Sequence, residues 1–407
     1  MKKFYILLGI AIFISTTVKA QWVQTTGSSG TIVSCFTQTD SHLFEGTLGY
    51  GVYRSTDNGT NWIQVNNGIS YKSIWALVAK GQNIFAGTIS GGVYISSDNG
   101  DNWSQVNNGL ENKSIWSLAS CESFLLAGTG GGGVYISSDN GSNWNSISDG
   151  ITDKCILSLA IKDNILFAGT GSGIFRSTDF GKSWTSVNNG LDNIYVWPLL
   201  VNNSKIYVGT RGNGVYYSTD NGENWLPINN GLTNKSIWSL ATNGMDLFVG
   251  TDGGGSFFSF DEGTNWYALN NGLDNNSVRA LKINESELFA GTDNGSYKLS
   301  LSNITTSVNT DDIVPNDYIL YQNYPNPFNL TTTIRFYLKT KTDVKILIYD
   351  CIGKLVRILE IDNASEGYNS IVWNGKNSLS NTVSSGIYFY QLIAGSFIKT
   401  KKMILSK

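Results

Sequence analysis

From residue 21 to about residue 300 the chain alternates short apolar stretches with breaks rich in Gly and Asn. "SIWALVA" (73–79) reads as one apolar strand, and "NIFAGT" (83–88) follows it after a turn. "GGVYISS" (91–97) alternates apolar and polar residues, "DNG" turns the chain, and "NWSQVNNG" (102–109) is a fourth, more polar strand. Segments of this length with Gly or Asn-Gly boundaries predict strands joined by tight turns.

The same pattern recurs along the chain. An octad S-x-D-x-G-x-x-W occupies Ser55–Trp62, Ser96–Trp103, Ser137–Trp144, Ser177–Trp184, Ser218–Trp225 and Ser259–Trp266. Its acids, Asp57, Asp98, Asp139, Asp179, Asp220 and Asp261, follow one another at 41, 41, 40, 41 and 41 residues. A period near 40 built from four short strands predicts the blades of a β-propeller. A Gly-Thr pair closing the second strand occurs seven times, at Gly46, Gly87, Gly128, Gly169, Gly209, Gly250 and Gly291. The last repeat, "FAGTDNGSYKLSLSN", has no Trp-bearing fourth strand, whereas "QWVQTTG" (21–27) resembles "NWIQVNNG" (61–68). The strand of Trp22 is therefore expected to complete the last repeat. The expectation for residues 21–300 is an all-β, seven-bladed propeller with N-terminal strand closure, which leaves no open sheet edge around the circle.

The ends follow other rules. Lys2 and Lys3, an apolar run and Val18-Lys19-Ala20 predict a secretory signal peptide over 1–20, with Gln21 as the mature start. No later run approaches the length of a membrane-spanning helix, so no transmembrane segment is expected in the mature chain. Residues 301–317 read as a polar linker. From Tyr318 to Lys407, alternating strands with Gly and Asn-Gly breaks predict a small C-terminal β-sandwich.

Charge narrows the function. Residues 21–300 carry 14 Lys and Arg against 23 Asp and Glu, an acidic balance that argues against nucleic acid as the partner. Cys35, Cys121, Cys155 and Cys351 are scattered without CxxC spacing and read as small buried hydrophobes, one bridge between blades staying possible. The single histidine, His42, gives neither a His-rich metal site nor His-based catalysis its material. No cofactor or metal is expected. "GTGGGG" (128–133) is a strand-to-strand turn with no helix behind it, unlike a phosphate-binding loop.

Two resemblances add to this. The octads resemble the Asp-box (BNR) repeats of sialidases, sortilin-type receptors and related secreted propellers, and the repeats also resemble the propeller of the photosystem II stability factor. The first resemblance implies that the six Asp residues serve folding on the blade periphery, away from the ligand face. In such a turn the Ser and Asp oxygens accept bonds from backbone N–H groups. Tyr324-Pro325-Asn326-Pro327-Phe328-Asn329, the Tyr349-Asp350…Gly353 turn, Trp373-Asn374-Gly375, Gly386-Ile387-Tyr388-Phe389-Tyr390 and the terminal "KTKKMILSK" are similar to the type A C-terminal sorting domain of the type IX (Por) secretion system. That similarity covers about residues 318–407. It implies type IX machinery as a partner, export across the outer membrane of a Bacteroidetes-like bacterium, and a secreted or cell-surface location.

Counting 12 residues back from each Gly-Thr glycine gives one equivalent position per repeat: Ser34, Trp75, Trp116, Leu157, Trp197, Trp238 and Arg279. Lys72, Lys113, Lys154 and Lys235 precede four of them. These positions are expected on the face opposite the octads, with Arg211, Asp252 and Asp293 after the Gly-Thr pairs. A tryptophan ring with basic neighbours suits sugar stacking and acidic groups; packing of one repeat on the next would produce the same pattern. Arg211, Asp252, Arg279 and Asp293 break the symmetry in repeats five to seven, where a pocket is expected. The arginine cluster of a sialidase is missing, since only Arg54, Arg176, Arg211 and Arg279 stand in the repeats. Asp252 and Asp293 leave a glycoside hydrolase pair open. Three readings follow: a noncatalytic propeller binding a glycan, peptide or surface protein; a glycoside hydrolase; and an assembly or scaffold factor.

Overall fold

The computed structural model describes residues 20–306 and 318–406 except 193, 194, 245 and 285. The predicted signal peptide, apart from Ala20, and most of the predicted linker lie outside the described residues.

The chain is all-β, with a single 3-10 turn (Leu301–Thr306) among the described residues. Residues 23–300 pair into seven four-stranded antiparallel sheets. The second comprises Ile74–Lys80, Asn83–Thr88, Gly92–Ser96 and Ser104–Gln105. The first strand of each sheet packs on that of the next, and Val33–Gln38 of the first sheet packs on Val278–Asn284 of the last. The last sheet takes its fourth strand from the start of the chain: Val23–Gln24 pairs with Gly295–Ser300, Val23 opposite Lys298. Trp22 then behaves as five of the six octad tryptophans do. Its indole N–H donates to Leu269 O at 2.7 Å, as that of Trp103 donates to Val65 O at 2.8 Å.

The fourth strands are shorter than the sequence suggests, two residues each. An asparagine side chain stands in for the ladder beyond them. Val93 N donates to Asn107 Oδ1 and Asn107 Nδ2 donates to Gly91 O, both at 2.8 Å. Asn66, Asn188, Asn229 and Asn270 accept equivalent bonds in other repeats. The side chain satisfies backbone groups that a longer strand would have paired.

The core lies between adjacent sheets. Phe44, Val52, Ile74, Ile84, Ala86, Tyr94 and Trp103 form one buried cluster between the first two. The seam between last and first differs. Glu45, fully buried, stands where the other repeats have Ala86, Ala127, Ala168, Val208, Val249 and Ala290. Ser296 faces it where five repeats have Val or Ile.

Residues 318–406 form a three-stranded sheet (Ile319–Leu320, Thr332–Leu338, Gly367–Trp373) and a four-stranded sheet (Thr342–Asp350, Leu355–Ala364, Gly386–Ala394, Phe397–Leu405). Both contribute to one apolar cluster that includes Ile334, Phe336, Ile346, Trp373, Tyr390 and Met403. All four cysteines are free. Cys35, Cys121 and Cys155 are half-buried, and Cys351 is exposed in the turn before Gly353 rather than buried.

Candidate functional site

Each of the seven equivalent positions is the unpaired residue of a β-bulge. In the second sheet Ile74 faces Thr88 and Ala76 faces Gly87, which leaves Trp75 outside the ladder. The same shift leaves out Ser34, Trp116, Leu157, Trp238 and Arg279. In the fifth sheet it takes out Trp197 and Pro198 together. A bulge is where a strand tolerates proline, which has no N–H to give. Bulges re-aim side chains, and these aim four indoles from four sheets at one another.

Trp75 stacks on Trp116 with centroids 5.2 Å apart and an interplanar angle of 17°. Trp197 stacks on Trp238 at 5.9 Å and 17°. The two pairs meet at a tilt, Trp197 lying 6.4 Å from Trp75 at 50° and 6.1 Å from Trp116 at 56°. All four rings are half-buried. The stack continues on both sides. Tyr195 lies against Trp197 at 6.4 Å and 14°. The Arg211 guanidinium sits 5.7 Å from the Tyr195 ring and that of Arg279 sits 3.9 Å from the Trp238 ring. A five-membered ladder results, Arg279–Trp238–Trp197–Tyr195–Arg211, with a cation over each end.

The polar residues divide. Asp293 is paired with Arg279, whose Nε and Nη2 both donate to its carboxylate. Asp252 is exposed, its backbone tied to Ser236 O and to Asn234 Nδ2. The carbonyls of Lys72, Lys113, Lys154 and Lys235 accept bonds from glycine N–H groups of the preceding sheet's turn, and Lys154 Nζ also donates to Ser148 O at 2.6 Å. A small cavity of about 140 Å3 is lined by Trp197, Trp238, Ile237 and Arg211. A larger cavity, about 680 Å3, lies elsewhere, among polar groups that include His42, Thr56, Asn58 and Asn284. Tyr195 was not singled out from sequence. It departs from the consensus, since Ser73, Ser114 and Ser236 hold that place in neighbouring repeats.

The six octad acids do not gather. Each carboxylate is engaged by its own turn. In the first, Ser55 Oγ donates to Asp57 Oδ1 at 2.8 Å, Asn61 N donates to the same oxygen at 2.9 Å and Asn61 Nδ2 donates to Oδ2 at 2.6 Å. Asp98, Asp139, Asp179, Asp220 and Asp261 repeat the pattern. Bonds from Asn224 and the turn's backbone hold Asp220 down at about 2, and Ser183 does the same for Asp179. Among the described residues no three His, Cys, Asp or Glu side chains come together as a metal site.

Comparison with known proteins bears on both halves. Residues 322–406 match the secretion system C-terminal sorting domain family, and residues 216–225 match the BNR/Asp-box repeat. The C-terminal unit is thus similar to type IX sorting domains. That domain indicates export through the type IX system, to the cell surface or the medium. No curated protein sequence matches the chain. Among solved structures, PorZ of Porphyromonas gingivalis, described as a bacterial surface component of the type IX secretion system, shares 15% identity with a TM-score of 0.52 over 91% of this chain and 59% of its own. An ancestral GH74 enzyme shares 15% at TM-score 0.58 over 95% of this chain and 63% of its own. YCF48 bound to D1 peptide shares 15% at TM-score 0.58 over 69% of this chain and 96% of its own. This chain thus spans about three-fifths of PorZ and of the GH74 enzyme. At such identities the likeness is one of fold, β-propeller-like and all-β. No helix among the described residues is long and apolar enough to cross a membrane.

Proposed function

We propose that this is a surface-exported, noncatalytic binding protein: a closed seven-bladed propeller over 21–300 that captures an extended segment of a partner protein at its tryptophan-filled mouth, followed by a sandwich-type sorting domain over 318–407. The observation that carries the reading is the ladder itself. Trp238 and Trp197 spend their faces on Arg279, Tyr195 and each other, so they offer edges rather than the flat platforms on which pyranose rings stack. Beside the two indoles lies an apolar cavity lined in part by Arg211. Its size suits one side chain, and the guanidinium suits an adjacent carboxylate. Hydrolysis needs two available carboxylates, and Asp293 is already given to Arg279. YCF48, a propeller-like neighbour, was solved with a bound peptide, which supports the partner class by analogy.

The experiment uses the mature chain 21–407 on a peptide array, a glycan array and a polysaccharide hydrolysis screen. Capture of peptides bearing an apolar residue beside an acid, weakened in Arg211→Ala, is the expected result. Glycan capture with no peptide capture would replace the ligand class, and turnover lost in Asp252→Asn would make the protein a hydrolase.

A further inference from the structure

The sorting domain lies against the outer flank of the fifth and sixth sheets, and the contact is made from departures in the repeat. The second octad position holds Thr56, Ser97, Ser138, Thr178 and Thr219 in five copies and Phe260 in the sixth. Phe260 is buried against Tyr368 of the sorting domain, ring centroids 4.4 Å apart. The turn before Leu247–Thr251 carries Asp246, also buried, whose carboxylate takes both terminal guanidinium nitrogens of Arg335. Asn243 Nδ2 orients that carboxylate from behind at 2.9 Å. Gly244, in the left-handed region at φ 96°, leaves room for Tyr324, since a Cβ there would stand 2.3 Å from the phenol oxygen. Asn203 Nδ2 donates to that oxygen at 2.9 Å.

Chance contact does not produce this set. A buried carboxylate facing one two-pronged guanidinium is costly when either partner is missing. A glycine, a phenylalanine and an aspartate at three points of one flank each fit a different group of the sorting domain. Tyr324 begins the Tyr-Pro-Asn-Pro-Phe-Asn stretch within the matched family segment. We infer that the flank of the sixth repeat is a docking surface for the chain's own sorting domain, and that docking keeps Tyr324 and Arg335 engaged until the domain is released. A secretion component that reads this face has to displace Asp246 and Asn203 first. The two units travel as one body rather than as beads on a linker.

The test compares the full mature chain with Arg335→Gln and, independently, Tyr324→Phe, by small-angle scattering over a concentration series and by amide hydrogen exchange. The expected wild type has a compact radius of gyration independent of concentration. Arg335→Gln is expected to enlarge the radius and to speed exchange at 260–262 and 368–370 about tenfold, the size of losing a charge-assisted hydrogen bond, with other strands unchanged. Tyr324→Phe, which keeps the ring, is expected to give a smaller shift in the same direction. The Asp246→Arg, Arg335→Asp exchange is expected to recover protection. Equal radii and equal exchange in wild type and Arg335→Gln would overturn the inference. So would a radius that rises with concentration, because the docking would then lie between copies.

Discussion

The Arg279 guanidinium lies 3.9 Å from the centre of the Trp238 indole, and Asp293 holds it there. This pair converts the last departure from the tryptophan consensus into the end of the ladder. Arg279→Ala removes a cation–π contact worth about 1 kcal/mol and leaves Asp293 without its partner. Trp238→Ala removes more, about 3 kcal/mol, because a large aromatic is lost from both neighbours. Denaturant unfolding is expected to rank the two in that order. The tryptophan coupling seen by circular dichroism is expected to shrink in Trp238→Ala and persist in Arg279→Ala. Equal stability of both variants and wild type would mean that the ladder holds nothing together.

Trp22 tests the closure. It is almost fully buried, joins the cluster of Phe248, Leu288 and Tyr297, and donates to Leu269 O. Trp22→Ala is expected to cost about 3–5 kcal/mol, the range for truncating a buried indole. Hydrogen exchange is expected to rise first in Gly295–Ser300, the strand to which Val23–Gln24 pairs. Uniform acceleration over all seven sheets would place closure elsewhere.

The octad acids give an acid-side prediction. Asp179 and Asp220 are held at about 2 by bonds from Ser183 and Asn224 and from their own turns. A carboxyl whose value falls on folding lends stability above its unfolded value, near 4, and loses it as pH drops toward 2. The melting temperature is therefore expected to fall between pH 4 and pH 2. Asp220→Asn is expected to lower it at pH 7 and to flatten that decline. A variant indistinguishable from wild type at pH 7 would remove the octad acids from the list of stabilising groups.

The repeat was legible because its signals are local. Fixed spacing, turn glycines and alternation each follow from backbone geometry, and Asn58, Asn99 and Asn140 at positive φ show how narrowly the turns are specified. The equivalence of Trp75, Trp116, Trp197 and Trp238 was legible too, from counting. Their gathering on one face was legible as well, but their stacking into pairs was not, because it depends on a bulge that no single strand announces. Tyr195 and Phe260 could have been noticed as departures from consensus. Their partners come from different causes: Arg211 adjoins Tyr195 within one sheet, its N–H donating to Tyr195 O, whereas Tyr368 reaches Phe260 only through docking of segments far apart in sequence. The shortness of the fourth strands was hidden for a different reason: an asparagine side chain copies a strand's hydrogen bonds.

Glu45 makes the seam between the last and first sheets respond to pH in the opposite sense from the octads. It is fully buried, the hydroxyls of Ser28 and Ser296 lie beside it, and neither carboxylate oxygen has a well-formed hydrogen bond. Desolvation pushes its acid up to about 7. The other titratable group beside it is Cys35 on the neighbouring strand, whose thiol burial pushes up to about 12, with Glu45 adding to the rise. The neutral acid fits the seam. A group raised on folding gives its full stability below the unfolded value and loses it as pH climbs through the folded value. The loss is expected between about pH 4.5 and pH 7 and amounts to about 3 kcal/mol at pH 8. Glu45→Gln keeps the shape and cannot ionise. It is expected to match wild type at pH 4.5 and to exceed it in unfolding free energy at pH 8, read from urea curves at the two values. Parallel behaviour of the two proteins across that range would mean that water or a cation reaches Glu45 and keeps it charged.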